Sequence, residues 1–313
     1  MENAGNMERP LLLTGNGKLT YSIAVCLLQA GRKVVLHTDD GDDALLHVNM
    51  HCADLKEPAL RRSRLEIIDR LGAIMPYGLA IVIAGEDLAE KKQVIHQLEK
   101  ALPENAIVAI NSESILLSAL QVGAINPGRI VGANWSEPAH TTWFLELIAN
   151  AHTQQESVDA LYHQAKAYWK KDPYIISGDS GIRAKMLSAI TREAFYLVEN
   201  GYASIEDIDR ACRNDPGYYL SFAGNFRYMD LMGASGYGEV MKGLNPELSK
   251  AKQIPAFFED IIRHGHLGME SDKGFYAYRE GEVARWQETF RKYTYQIQEI
   301  IEKYPFGYLE ENV

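Results

Sequence analysis

The sequence predicts an α/β domain with a doubly wound parallel sheet, followed by an all-α domain. Short apolar runs alternate with helical periods in the first half of the chain. After residue 157 only long helical periods remain, apart from one short run at 174–177. A chain of 313 residues is long enough for two domains. We predict these as residues 1–179 and 180–313.

The first elements alternate strand and helix. Residues 10–15 are a short apolar run ending in glycine, residues 19–30 have apolar side chains at helical spacing, and residues 33–37 are a second apolar run. This β-turn-α-β order is typical of a Rossmann-type sheet. Further strands are predicted at 79–84, 106–110 and 129–133, because continuous apolar runs indicate strands covered on both faces.

The remaining predicted elements are mostly helices. One lies between two strands, at 88–102, and the others lie at 158–169, 185–199, 205–212, 255–264 and 282–304. The only strand predicted after residue 157 is at 174–177. The predicted domain boundary falls just after it, between Gly178 and Gly181.

Composition and charge exclude several classes of function. The formal net charge of −10 repels phosphate backbones, so we expect no nucleic-acid partner. Cys26, Cys52 and Cys212 lack the spacing of metal ligands, and no metal is predicted. The sequence shows no signal-peptide pattern and no apolar run of membrane-spanning length. We therefore expect a cytoplasmic protein without a membrane partner.

A glycine-rich turn follows the first predicted strand. Gly15 and Gly17 precede Lys18 and Leu19 at the start of the first helix, where backbone N–H groups and the helix dipole favour a pyrophosphate. The third position of the G-x-G-x-x-G pattern is Thr20, which weakens the pattern without removing the anion site. The alternative is a glycine turn with no ligand.

An acidic residue is expected about 20 residues further on, at the end of the second strand, to bind the ribose of the cofactor. Asp39 and Asp40 lie there. Two carboxylates would repel the 2′-phosphate of NADP, so NAD is the predicted cofactor. The alternative is a solvated acidic loop, since Asp42 and Asp43 follow.

An ordered series of segments resembles the 3-hydroxyacyl-CoA dehydrogenase family, over about residues 10–280. These segments are AGEDLAEK at 84–91, NSES at 111–114, GANWSEP at 132–138, EA at 193–194, NGYASIEDID at 200–209, YMDLMG at 228–233, GHLG at 265–268 and KGFYAY at 273–278. The resemblance implies an NAD-dependent oxidoreductase acting on 3-hydroxyacyl thioesters. It adds Glu86, Lys91 and Asn111 to the predicted cofactor contacts.

The catalytic residues that the resemblance implies are not all present. The family's base is a histidine held by a glutamate. The histidine aligns with Asn134, and the glutamate aligns with Glu146, twelve residues later. An amide cannot act as a general base near neutral pH. Two more polar positions of the family have become Glu113 and Ala184, and the family's strand-two acid aligns with Thr38.

Two residues are candidates for a replacement base. His140 lies six residues from both Asn134 and Glu146, and the alternative for it is a solvated or helix-capping histidine. Glu113 could serve if burial raised its pKa toward neutrality. Its alternative is a carboxylate that is merely solvated or hydrogen-bonded. The sequence thus predicts a site that was either rebuilt around Glu113, Asn134, His140 and Glu146 or has lost its reaction.

The favoured function is hydride transfer between NAD and a 3-hydroxyacyl thioester or a related 3-hydroxy acid, with fatty-acid metabolism as the implied setting. The alternative is a catalytically silent protein that binds a ligand or regulates. Arg61, Arg62 and Arg64 could meet CoA phosphates, or could form the basic face of a helix. The resemblance and the apolar helices at 185–199 and 205–212 predict a homodimer through the C-terminal domain.

Overall fold

The computed structural model describes residues 10–56 and 64–306. The chain forms two compact units, Met1–Lys185 and Met186–Val313. Arg61 and Arg62, two of the three arginines predicted to meet CoA phosphates, lie outside the described residues. Arg64 is described, and its carbonyl accepts a hydrogen bond from the Val34 N–H at 2.7 Å.

The first unit is built on one eight-stranded sheet. Its strands are β1 (Leu11–Thr14), β2 (Val34–His37), β3 (Leu65–Ile68), β4 (Leu79–Val82), β5 (Ile107–Ile110), β6 (Ile130–Trp135), β7 (Leu145–Ala149) and β8 (Tyr174–Ser177). Their order is β3-β2-β1-β4-β5-β6-β7-β8. Every neighbouring pair is parallel except β6 and β7, which are antiparallel. The predicted doubly wound parallel sheet is confirmed.

Helices cover both faces of this sheet. They are α1 (Gly17–Gln29), α2 (Gly41–Asp54), α3 (Leu88–Ala101), α4 (Leu117–Gln121) and α5 (Gln155–Tyr168). Leu11 and Leu13 belong to the core that contains α1, α2 and α5, whereas Leu12 belongs to the core that contains α3 and α4. Successive strand residues therefore enter opposite cores. This explains why the central strands are continuous apolar runs rather than alternating ones.

The strand order reverses direction between β1 and β4. From β1 the chain adds β2 and β3 on one side, and from β4 it adds the remaining strands on the other side. Ligands of open α/β sheets bind at the carboxyl ends of the strands beside such a reversal. Here those ends lead into Gly15 after β1, Glu86 after β4 and Glu113 after β5.

The second unit is helical. The helix α6 (Arg183–Glu199) begins in the first unit, and it is followed by α7 (Ile205–Asn214), α8 (Pro216–Met232), α9 (Ala234–Leu244), α10 (Ala256–Arg263) and α11 (Glu282–Lys303). Ser204 and Asp207 form a reciprocal capping box at the start of α7. The helix α8 is kinked at Gly224, where φ is 66°. Within the described residues, no helix is both long and apolar enough to cross a membrane.

The second unit buries few of its residues. Within residues 186–306, only Ala223, Ser249 and Thr294 are buried. Large apolar side chains on several of its helices are more than half exposed, among them Met186, Ile190, Phe222, Phe226, Leu231, Trp286 and Phe290. A domain of this size that folds alone buries most of its apolar surface.

The structure contains elements that the sequence reasoning did not predict. The strands β3 and β7 and the helices α2, α4, α8 and α9 were missed, while the other strands and helices were predicted within a few residues of their bounds. The compact units divide at Lys185, inside α6, whereas the sequence placed the domain boundary at residue 179.

Candidate active site

The turn between β1 and α1 begins at Gly15, which has no room for a side chain. A Cβ atom there would collide with the carbonyl oxygen of Ile83 and would lie 2.9 Å from the Thr20 hydroxyl oxygen. Thr20 stands where the pattern has its third glycine, is fully buried, and donates from Oγ1 to the Asn16 carbonyl at 3.0 Å. The threonine therefore stabilises the turn and leaves its tight shape intact.

The first turn of α1 can receive an anion. The helix begins at Gly17, where φ is 81°, and continues through Lys18 and Leu19. Asn16 precedes the helix, but its side chain makes no capping hydrogen bond, and the first turn carries no acidic residue. The leading N–H groups of a helix have no intrahelical partner, and the helix dipole favours negative charge there. This arrangement fits a pyrophosphate.

The Asn16 side chain instead links the glycine turn to the end of β2. Its Oδ1 accepts from the Thr38 hydroxyl at 2.7 Å and from the Asp39 N–H at 2.9 Å, and its Nδ2 donates to Asp39 Oδ2 at 2.9 Å. Thr38 is buried, and its hydroxyl also lies 3.3 Å from the Tyr21 hydroxyl. Asp39 is exposed. The carboxylate beside the turn therefore belongs to Asp39, one residue after the position the resemblance implies.

The second predicted acid, Asp40, has a different role. Its carboxylate accepts from the Asp43 N–H at 2.9 Å and caps the start of α2. This bond is a helix N-cap, a common structural use of aspartate. Only Asp39 is thus held beside the glycine turn by the Asn16 amide.

The Glu86 carboxylate accepts hydrogen bonds from the segment after β5. Its carboxylate accepts from the N–H groups of Glu113, Ser114 and Ile115 and from the Ser114 hydroxyl, at 2.8 to 3.3 Å. Lys91 Nζ lies 3.2 Å from Glu86 Oε1. Partial burial opposes ionisation of Glu86, but the Ser114 hydrogen bonds and the Lys91 charge outweigh it and lower the pKa to about 2.

Lys91 and Asn111 tie the ends of β4 and β5 together. Lys91 is fully buried, and its Nζ donates to the Asn111 carbonyl at 2.6 Å and to Asn111 Oδ1 at 3.0 Å. Asn111 Oδ1 also accepts from the Ala84 N–H, and its Nδ2 donates to the Ala84 carbonyl, both at 2.9 Å. Asn111 and Lys91 therefore hold this edge of the sheet in shape, and their role as cofactor contacts stays a prediction.

Asn134 is buried and bonded through its whole amide. Its Oδ1 accepts from the Ser112 N–H at 2.7 Å, and its Nδ2 donates to the Ser112 carbonyl at 2.9 Å and to Glu146 Oε2 at 3.0 Å. The antiparallel register of β6 and β7 places Asn134 directly opposite Glu146. The pairing that the resemblance implies is therefore present, with an amide where the family has an imidazole.

Glu146 is fully buried and accepts four hydrogen bonds. Besides Asn134, its donors are the Tyr174 hydroxyl at 3.1 Å and the N–H groups of Ile182 and Arg183 at 2.7 and 3.2 Å. Arg183 is the first residue of α6, and Ile182 directly precedes it. Because these hydrogen bonds hold its carboxylate in place, Glu146 anchors the start of this helix.

Glu113 is the partly exposed carboxylate of this cluster. It pairs with Arg183, whose Nη1 lies 2.6 Å from Glu113 Oε1, and both side chains are 31% exposed. Burial raises the pKa of Glu113, and the nearby charges of Glu146 and Glu86 raise it further, against the lowering effect of Arg183. A carboxylate with a raised pKa and access to solvent can exchange a proton.

His140 lies away from this cluster. Its ring centroid is 4.2 Å from that of His51 on α2, which covers one face of the sheet. On β6, Ala133 and Trp135 enter the core of that same face, so Asn134 between them points to the opposite face. Burial and then His51 lower the pKa of His140 to about 2. The structure therefore does not bring His140 together with the other three predicted catalytic residues.

Sequence reasoning missed Arg183, Tyr174 and the linking role of Asn16. Arg183 is 70 residues from Glu113 in sequence, and Tyr174 is 28 residues from Glu146. A signal existed only for Arg183, which precedes Ala184, the position where the family has a polar residue.

A parallel sheet with a phosphate-binding turn at its reversal point and an acid after β2 defines the dinucleotide-binding α/β class. Residues 12–179 match the family model described as 3-hydroxyacyl-CoA dehydrogenase, NAD binding domain. Residues 182–278 match the model of the C-terminal domain of the same enzyme. The chain belongs to the 3-hydroxyacyl-CoA dehydrogenase family, and its first unit contains an NAD-binding domain.

Among curated relatives, the chain is 23% identical over 287 residues to 5-formyl-3-hydroxy-2-methylpyridine 4-carboxylate 5-dehydrogenase from Mesorhizobium japonicum, covering 91% of this chain and 90% of the relative. It is 29% identical over 213 residues to a peroxisomal fatty acid beta-oxidation multifunctional protein from Arabidopsis thaliana. That match covers 66% of this chain but only 28% of the multifunctional protein.

Two solved structures show the same fold. The crystal structure of the pyridine carboxylate dehydrogenase, described as an NAD⁺-dependent dismutase, has a TM-score of 0.87 at 23% identity and covers 95% of this chain and 99% of its own. The structure of (S)-3-hydroxybutyryl-CoA dehydrogenase from Ralstonia eutropha has a TM-score of 0.68 at 22% identity. The match covers 87% of this chain and 100% of that enzyme's chain. The predicted family, fold and cofactor are confirmed.

Proposed function

We propose that this protein is an NAD-dependent oxidoreductase that moves hydride between a hydroxyl-bearing carbon of a 3-hydroxyacyl thioester or a related hydroxy acid and NAD, with Glu113 as the proton-exchanging residue. The observation that carries the proposal is the position of Glu113. It is a carboxylate with a raised pKa, partly open to solvent, at the carboxyl ends of the strands where this fold binds its ligands.

The residues at the reversal point fit NAD. The helix start at Gly17 with Lys18 and Leu19 would hold the pyrophosphate, Gly15 would keep the turn tight, and Asp39 would accept from the ribose. NAD supplies a hydride acceptor when it is bound. The chain itself must supply the group that takes the hydroxyl proton.

Glu113 suits that task better than the other predicted residues. The Asn134 amide cannot act as a base, and its three hydrogen bonds fix it to Ser112 and Glu146. Glu146 is buried behind four donors and therefore acts as an anchor. His140 contacts His51 on the opposite side of the sheet. Glu113 is the member of the set with both a raised pKa and solvent access.

The second candidate is a catalytically silent protein that binds NAD or another ligand without turnover. The closed hydrogen bonding of Asn134 favours it, because that amide occupies the place of the family's base and completes a stable network. For the favoured function we propose that residues 1–179 bind the dinucleotide and residues 180–313 support the substrate and dimer contacts.

The test is a pair of measurements on wild type, Glu113→Gln and a matched control, Glu156→Gln, which changes an exposed glutamate in the first turn of α5. NADH affinity is measured by calorimetry, and NADH formation is followed with a panel of 3-hydroxy acids and their CoA thioesters. We expect all three proteins to bind NADH. We expect Glu113→Gln to lose about 10²–10⁴-fold in turnover, which is the usual worth of a general base.

The outcomes separate the two functions. NADH binding without turnover of any substrate in the wild type favours the silent protein. Turnover that Glu113→Gln leaves unchanged contradicts the role of Glu113. Absence of NADH binding contradicts the oxidoreductase and leaves only a silent protein that binds another ligand.

We also propose that the protein is a homodimer joined through its helical unit. A second copy would cover the apolar side chains that this unit leaves exposed, since a region with three buried residues in 121 has no core of its own. Light scattering at micromolar concentration checks this, and a stable monomer would contradict it. Cys26, Cys52 and Cys212 form no disulfide in the described part of the chain, which suits the reducing cytoplasm, and the relatives named for fatty-acid oxidation suggest the metabolic setting.

A further inference from the structure

The geometry points to Arg183 as a specificity residue that binds a free carboxylate on the substrate beside the proton-exchanging Glu113. This inference rests on the proposed function and narrows its substrate class to short hydroxy carboxylates. The other substrate class in the proposed function, a CoA thioester, has a neutral carbonyl where a hydroxy acid has its carboxylate.

The charged groups around Glu113 differ in how far they are buried. Lys91 is fully buried and bonded to Asn111 and Glu86. Glu146 is fully buried and accepts four hydrogen bonds. Arg183 is therefore the cation of this cluster that reaches solvent, at 31% side-chain exposure.

The Arg183 side chain has more hydrogen-bond donors than Glu113 occupies. Its guanidinium carries five N–H donors, and Nη1 donates to Glu113. A guanidinium binds carboxylates through paired donors on its edges, so one edge can remain on Glu113 while a second carboxylate binds another edge. Such a bridge places the carboxylate of the substrate, and thus its nearby hydroxyl group, next to Glu113.

Arg183 is held in place by contacts within the chain. Its guanidinium lies over the ring of Phe144 at 5.7 Å, and that ring meets Tyr174 edge-on at 5.9 Å. The Arg183 N–H is bonded to buried Glu146. A side chain fixed by stacking and by its backbone loses little conformational freedom on binding, and pre-organised donors of this kind favour recognition over flexible surface contacts.

The bridge also explains why an anion is tolerated beside several glutamates. Glu86 is paired with Lys91 and accepts from the Ser114 N–H, and Glu146 accepts from the Ile182 N–H, so both carboxylates have donors of their own. The carboxylate of the substrate would meet the guanidinium first, and Glu113 would then share Arg183 with it. Sharing weakens the hold of Arg183 on Glu113, which leaves Glu113 a better proton acceptor when the substrate is bound.

The experiment compares matched probes in the presence of saturating NADH, so that no turnover occurs. Short 2- and 3-hydroxy acids, including 3-hydroxybutyrate, are paired with their methyl esters, and affinity is measured by calorimetry. The variants are Arg183→Met, Arg183→Lys and a control, Arg210→Met, which removes an exposed arginine paired with Glu206 on α7. The melting temperature of each variant establishes that it is folded. If Arg183→Met does not fold, Arg183→Lys is compared with wild type instead.

We expect wild type and Arg210→Met to bind at least one acid, and to bind it more tightly than its ester. Arg183→Met should weaken binding of the acid about 10- to 100-fold and leave binding of the ester unchanged. Hydrogen bonds to charged groups contribute about that much to affinity. The affinity of Arg183→Lys for the acid should lie between those of wild type and Arg183→Met, because lysine keeps the charge and loses the paired donors.

Equal affinity for acid and ester in the wild type, or an equal loss of both in Arg183→Met, overturns the inference, as does binding of none of the acids. A wild type that turns over CoA thioesters faster than free acids also overturns it while leaving the proposed oxidoreductase function standing. Absence of NADH binding, in contrast, is a failure of the proposed function itself.

Discussion

Replacing Gly181 with alanine tests the anchoring of Glu146. A Cβ atom on Gly181 would overlap Glu146 Oε2 and would lie 2.5 Å from its Cδ, whereas ordinary contacts are 3.4–4 Å. The carboxylate cannot yield freely, because it is fully buried and is held by the Ile182 and Arg183 N–H groups just after the glycine. Either these bonds break or the start of α6 moves by about 1 Å, which is the difference between the 2.5 Å approach to Cδ and an ordinary contact of 3.4 Å.

Both outcomes are costly. Overpacking of a buried site costs about 1–3 kcal/mol. Loss of a hydrogen bond to a charged group costs about 1.5–3 kcal/mol. We therefore expect Gly181→Ala to lower the free energy of unfolding by about 1–3 kcal/mol in urea titrations monitored by circular dichroism, whichever of the two occurs. Gly78→Ala is the control, because a Cβ at Gly78 meets no atom within 4 Å.

A double-mutant cycle isolates the contact. In a Glu146→Ala background the space opposite Gly181 is vacated, so the added methyl group should cost less than about 1 kcal/mol there. A Gly181→Ala protein as stable as Gly78→Ala, or an undiminished cost in the Glu146→Ala background, would refute the reasoning.

Three further predictions follow from the site. Calorimetry should show tighter binding of NAD than of NADP, since the Asp39 carboxylate fixed beside the glycine turn repels a 2′-phosphate; equal or tighter NADP binding contradicts this. Wild type should turn over 3-hydroxybutyryl-CoA about 10²–10⁴-fold more slowly than members with the histidine base, and Asn134→His should raise that rate, because Glu146 lies ready to orient an imidazole; brisk wild-type turnover, or no gain, would count against it. The contribution of Glu86 to stability should be complete above its ordinary pKa and lost as the pH falls toward about 2, because its pKa is lowered in the folded protein. Its partial exposure limits this contribution to about 1–2 kcal/mol. An acid unfolding curve that Glu86→Gln leaves unchanged would contradict the prediction.

The sequence predicted the elements whose pattern is set by burial on both faces. The strands β1, β2, β4, β5 and β6 were found because each is a continuous apolar run. The edge strand β3 was missed because its residues are only half covered, and β7 was missed because Glu146 interrupts its apolar pattern. A charged residue in a buried strand is tolerated here only because donors from β6, β8 and α6 converge on it.

The candidate site was predictable where its members share a local pattern. Gly15, Gly17 and Asp39 follow from the strand-turn-helix order, and the spacing of Asn134 and Glu146 follows from the family resemblance. The pairing of Glu113 with Arg183 joins segments 70 residues apart, so no local pattern reveals it. The placement of His140 failed for a related reason, because nearness in sequence does not fix the face of the sheet on which a loop residue lies.

The amide of Asn134 has a consequence for how such an enzyme can change over time. Histidine and asparagine codons differ by a single base, and the amide keeps Ser112, Glu146 and the start of α6 bonded together. A lineage can therefore pass between the two side chains without first dismantling the fold.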